Sequence, residues 1–170
     1  MRRAAQIIFR AFLLSCIMAL AIGSKAAFAA TSSTSFTVTA NVLASCQVNT
    51  TNLDFGNYSA ASSTPTDATS TISVTCNPGQ NYSISLDAGQ GSGATVASRL
   101  LTSGANTLSY GLYTTGAYSA LWGDGTLSTA TVSATGSGSQ QSRTVYGRLA
   151  AGQYTAPGTY LDTIAVAVTY

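Results

Sequence analysis

The residues able to do chemistry are few. Past residue 29 the chain holds no His, Lys or Glu, so the usual general bases and amine nucleophiles are missing. Asp54 and Asp124 could in principle pair as acid and base. However, Asp54 precedes Phe-Gly at a strand start and Asp124 sits in a Gly-Asp-Gly turn, positions where an aspartate caps its own backbone. Gly89, Gly91 and Gly93 are spaced like a phosphate loop but lack the following helix that would supply the anion site. Tyr113, Tyr118 and Trp122 could stack on a sugar if exposed together, whereas Tyr82, Tyr110, Tyr160 and Tyr170 fall on apolar strand faces and read as core. Asn49, Asn57 and Asn81 each begin an Asn-x-Ser/Thr triplet, which recurs by chance in so Ser/Thr-rich a chain. These residues argue against an enzyme and call for no cofactor or metal.

Three cysteines remain to be placed. Arg2, Arg3 and Arg10 make a basic start, Ala11 to Ile22 an apolar stretch, and Ala27-Phe28-Ala29 a small-x-small cleavage site. Residues 1–29 therefore read as a secretory signal, cut after Ala29, because about twelve apolar residues are too few for a bilayer that needs ~20. Cys16 leaves with it. Cys46 and Cys76, the two cysteines of an exported domain, read as one disulfide. Two free thiols or half a metal site are the alternatives, and without His no further ligands complete a zinc shell. Beyond the signal three arginines face five aspartates, a net charge of −2, so nucleic acid and anionic membranes are poor partners. No membrane span is expected in the mature chain.

The elements that position these residues follow from apolar alternation. Ile72, Val74 and Cys76, then Tyr82, Ile84 and Leu86, alternate on either side of Asn77-Pro78-Gly79, a hairpin turn. Leu53 to Tyr58, Leu108 to Leu112, Tyr118 to Trp122, Ala130 to Ala134 and Arg143 to Leu149 are further short strands, with a polar loop at Ser59 to Asp67. Phe36 to Val48 alternates for thirteen residues, which at ~3.3 Å each is about 43 Å, too long for one strand in one sheet. It either bends between two sheets, the reading favoured by the residues alone, or projects beyond the domain. In Thr159 to Tyr170, Tyr160, Ile164, Val166, Val168 and Tyr170 share one parity, a half-buried strand apolar to its last residue. Such a strand either has neighbours on both sides or lacks one. The whole reads as one all-β, immunoglobulin-like sandwich.

Cys46, Leu53-Asp-Phe-Gly-x-Tyr58, Val74-x-Cys76, Tyr82-x-Ile84-x-Leu86 and Leu108-x-Tyr110-x-Leu112-Tyr113 resemble the spore coat protein U domain. Trp122-Gly-Asp-Gly125, Tyr146-Gly-Arg148 and Pro157-Gly-x-Tyr-x-Asp-Thr163 continue the resemblance. The family includes secreted pilus subunits of the archaic, Csu-type chaperone-usher class. The resemblance implies a sandwich lacking its last strand, at residues 42–170, with an acceptor groove beside Tyr160, Ile164, Val166, Val168 and Tyr170. It also implies a donor extension at residues 30–41, inserting Phe36, Val38 and Ala40. The long alternating stretch then becomes donor segment plus first native strand. A periplasmic chaperone, an outer-membrane usher and identical or related subunits would be the partners, and a cell-surface pilus for adhesion and biofilm formation the product. A spore or cell-surface coat protein and a sugar-binding tip adhesin are the rival readings.

Overall fold

A computed structural model describes residues 28–170. Most of the expected leader lies outside the described residues. The chain divides into two units, residues 1–40 and 41–170. In the first, residues 28–40 form no strand and are exposed, Phe36 at 87% and Val38 at 80%.

The second unit consists of eight strands: β1 (Cys46–Thr50), β2 (Thr66–Cys76), β3 (Asn81–Leu86), β4 (Arg99–Ser103), β5 (Asn106–Tyr113), β6 (Val132–Thr135), β7 (Gln141–Leu149) and β8 (Val166–Thr169). A five-stranded sheet runs β1-β2-β7-β5-β4 and a three-stranded sheet β6-β3-β8, with every pairing antiparallel. Residues alternating on β2, β3, β5 and β7 put Ile72 and Val74, Tyr82, Ile84 and Leu86, Leu108, Tyr110 and Leu112, and Val145 and Leu149 into one shared core. That is the sandwich expected from period-two sequence, since each sheet can bury only one face.

Several elements differ from the sequence expectation. Of Phe36 to Val48 only Cys46 to Val48 enters a ladder. Leu53 to Tyr58 forms no strand. Instead Leu53 and Phe55 lie against Gly147 of β7, and the Tyr58 hydroxyl donates to Ala150 O (2.9 Å) while accepting from Gln153 N (2.8 Å). An apolar alternation there serves as a cover over the core, which period two alone cannot distinguish from a strand. β2 begins at Thr66, inside the expected loop, because β7 pairs with it from Thr66↔Leu149 onward. β4 has no sequence signal and exists through its hairpin with β5. Tyr118 to Trp122 is reduced to the isolated bridges Tyr113↔Leu121 and Trp122↔Ala130.

Candidate functional site: the open edge of the last strand

The last stretch, residues 159–170, does not form one strand. It changes sheets. Leu161 exchanges two backbone hydrogen bonds with Thr102 of β4 (2.9 and 3.0 Å), and five residues later β8 pairs with β3. The crossing is held by two carboxylates. Asp162 accepts from Gln90 N (2.7 Å), Thr163 N (2.8 Å) and the Tyr110 hydroxyl (2.7 Å). Asp87 accepts from Ala165 N (2.9 Å) and Gly89 N (3.1 Å). Burial and the adjacent Asp162 carboxylate together push the Tyr110 hydroxyl far above its ordinary pKa, so it stays a donor to that carboxylate. Gly89 is glycine for a local reason, because the Asp162 carboxyl lies where a Cβ would stand and the backbone φ is 82°. The glycine cluster is thus a turn packed on Asp162.

Beneath the crossing lies Arg99, with 0% of its surface exposed and, among the described residues, no ion pair to a carboxylate. Its Nε donates to Asp87 O (2.8 Å), Nη1 to Val96 O (3.0 Å), and Nη2 to Trp122 O (2.9 Å) and Leu86 O (3.4 Å). Desolvation draws its pKa down, and four carbonyl dipoles stand in for the water it has lost. Arg99 binds the end of β3, the loop after it and the Trp122 segment into one piece. The sequence hint was a lone arginine between Val96 and Leu100, too little to reveal a carbonyl cage.

This scaffold presents β8. The register is Ser83↔Thr169, Ile84↔Val168, Ser85↔Ala167 and Leu86↔Val166, continued by Asp87 N to Ala165 O at 3.1 Å. In an antiparallel ladder the backbone groups of alternate residues point to opposite sides. Ala165, Ala167 and Thr169 therefore face β3, and Val166 and Val168 turn their N–H and C=O to the other side. Among the described residues no strand pairs there. The side chains have the opposite division: Ile164, Val166 and Val168 are half-buried against the core, with Tyr160 on the same face, while Ala165, Ala167 and Thr169 are exposed. Tyr170 departs from its neighbours and is 55% exposed. A shallow depression of about 500 Å³ lies between Tyr170, Thr169, Tyr82 and Ala134. The site is an unpaired strand edge above a partly uncovered core, suited to hydrogen-bonding an extended chain.

The other candidates separate from it. Cys46 and Cys76 are bonded and lie opposite one another in the β1–β2 ladder. Asp54 accepts from Gly56 N (2.8 Å) and Asp124 from Thr126 N and Oγ1 (2.9 and 2.6 Å), each capping its own turn. The possible sugar platform does not assemble, because Trp122 is 1% exposed and donates through Nε1 to Ile84 O (3.1 Å). Tyr118 packs edge-on against Tyr113 and Tyr146 (centroids 5.4 and 6.3 Å), with the Arg148 guanidinium 3.5 Å over its ring. Arg148 in turn grips Asp67 with two 2.7 Å bonds, which hold the Asp67 carboxyl below its usual range. This cluster pins the 114–121 loop to the outer face of the five-stranded sheet.

Comparison with known proteins agrees with this architecture. The search of curated proteins finds no match. Among solved structures, the chain is similar to a chain of the CsuC–CsuE chaperone–tip adhesion subunit pre-assembly complex from the archaic chaperone-usher Csu pili of Acinetobacter baumannii. The identity is 22%, the TM-score 0.56, and the match covers 76% of this chain and 40% of that one. The chain thus spans less than half of its relative's length, and a likeness at this identity speaks for the fold. The model of the Spore Coat Protein U domain matches residues 32–167, nearly the whole sandwich with the segment before it, and the chain belongs to that family.

Proposed function

We propose that the chain is a non-enzymatic structural subunit of a chaperone-usher pilus. In this reading a periplasmic chaperone first covers the open edge of β8. At an outer-membrane usher, residues 30–41 of another subunit then replace it, and repetition builds a cell-surface fibre for adhesion and biofilm formation. The observation that carries the reading is the unpaired β8 edge, with Val166 and Val168 offering backbone groups beside half-covered core side chains. An inserted strand gains a hydrogen-bond ladder and buries alternate side chains. Phe36, Val38 and Ala40 provide that alternation on a segment that is exposed and forms no strand of its own. The contact is head-to-tail and does not close, so it propagates. The coat-protein reading shares this edge and differs in the partners that fill it. The sugar-binding tip reading loses its platform with Trp122 in the core.

The test is polymerisation of subunits released from chaperone, scored as multimer ladders in unheated gels. Val38→Asp would bury an unpaired carboxylate at a cost of several kcal/mol and should stop assembly. Thr37→Asp, on the outward face, should leave it nearly unchanged. Equal assembly of the two variants would refute the insertion of this face.

A further inference from the structure

In a fibre joined as just proposed, tension enters each subunit through residues 41–45 and leaves through β8. This inference rests on that reading. β1 is the first strand the tension meets and is poorly suited to carry it. It has five residues, one partner strand, and no buried residue, with only Cys46 half-buried. Pulled from its first residue, such an edge strand unzips one hydrogen bond at a time, each worth only about 0.5–1.5 kcal/mol net.

The entry point, however, is bolted elsewhere. Cys46, the first residue of β1, is bonded to Cys76, the last residue of β2. One residue earlier, Ser45 N donates to Asn77 Oδ1 (2.7 Å) and Asn77 N donates to Ser45 O (3.1 Å). The disulfide lands on the end of β2 and the Ser45 hydrogen bonds on the adjoining turn Asn77–Gln80, which leads at once into β3, the partner of β8. That turn is braced by the loop after β6: Gly79 N to Gly136 O (2.9 Å), Gly136 N to Gln80 O (2.7 Å) and Gly138 N to Cys76 O (3.1 Å). Gly136 has no room for a side chain, since a Cβ there would meet Asn77 O and Cys76 Cβ.

We propose that the Cys46–Cys76 bond and Asn77 form a tension clamp, passing force from the N-terminal segment directly into the β3–β8 pair and leaving β1 and most of β2 unloaded. Location distinguishes this from ordinary disulfide stabilisation. A bond between Thr50 and Ile72, at the far end of the same ladder, would close a loop of comparable length and give similar chain-entropy stabilisation. It would still let β1 peel.

The test pulls single fibres assembled from wild-type subunits, before and after thiol reduction of the assembled fibre. Oxidised fibres should not lengthen within subunits before strands slip out of their grooves. Reduced fibres should gain an earlier, lower-force step as the chain between the cysteines, a sequence separation of 30, is released, on the order of 100 Å per subunit. A second variant moves the bond, combining Cys46→Ser and Cys76→Ser with Thr50→Cys and Ile72→Cys. It should keep the low-force step in shortened form, as β1 alone peels, and it decides the matter if reduced fibres come apart unpulled. Superimposable traces for oxidised and reduced fibres, or a relocated bond that restores the wild-type trace, overturn the clamp. If oxidised subunits form no fibres at all, the donor-strand reading falls and the clamp with it.

Discussion

β3 and β8 lie side by side, both alternating larger apolar residues with small ones, yet they meet different fates. On β3, Tyr82, Ile84 and Leu86 are 3%, 0% and 2% exposed; on β8, Val166 and Val168 are only half-buried. The side-chain chemistry is nearly the same, so composition is not the cause. β3 has β6 on one side and β8 on the other, and Arg99 and Trp122 tie its carbonyls at Ile84 and Leu86. β8 has β3 alone. An apolar residue is covered by strands to left and right as well as by the opposite sheet, so one missing neighbour leaves both a half-exposed side chain and an unpaired backbone.

The contrast can be broken most severely at the β3 end. Arg99→Met should leave four carbonyls without donors and cost about 4 kcal/mol or more, with thermal unfolding as the measure; a loss under about 1 kcal/mol would mean the cage is not what fixes β3. Next in size is a matched pair of truncations. Ile84→Ala should cost about 2–5 kcal/mol, and Val168→Ala in the isolated subunit about 1 kcal/mol or less, because half-covered methyls forfeit less on removal. Filling the β8 edge should raise the Val168→Ala cost, and denaturant titration with and without a bound donor strand measures it.

Hydrogen exchange sharpens the same contrast without mutation. The Leu86 amide, bonded to Gly123 O, should be protected, and those of Val166 and Val168 should exchange fast until a strand is added. Equal protection in the isolated subunit would mean the edge is already occupied. The smallest effect lies away from both strands. Asp67→Asn breaks the exposed pair with Arg148 and should barely move stability at neutral pH. Since Arg148 holds the Asp67 carboxyl below its unfolded value, its contribution is present above pH ~4 and fades as pH falls through the folded-state value. The variant should therefore lose part of the wild type's sensitivity below that pH, and acid unfolding curves would reveal it.

Much of this was legible in the residues. Alternation at Tyr82, Ile84 and Leu86, at Leu108, Tyr110 and Leu112, and at Ile164, Val166 and Val168 fixed which face of each segment turns inward, since side chains on a strand can only alternate. The missing bases and the turn settings of Asp54 and Asp124 were equally local facts. What only the tertiary structure decided is which segments gain neighbours. Leu53 to Tyr58 alternates as well as β8 does and pairs with nothing, whereas Arg99–Ser103 shows no pattern and becomes β4. Trp122, one of the aromatics that its residue type alone would allow at the surface, lies in the core, where its indole N–H meets Ile84 O. The open edge belongs to this second class: the inward face of β8 is written in its own residues, but a strand's hydrogen-bonding partners come from distant parts of the chain, so their number cannot be read from the strand itself.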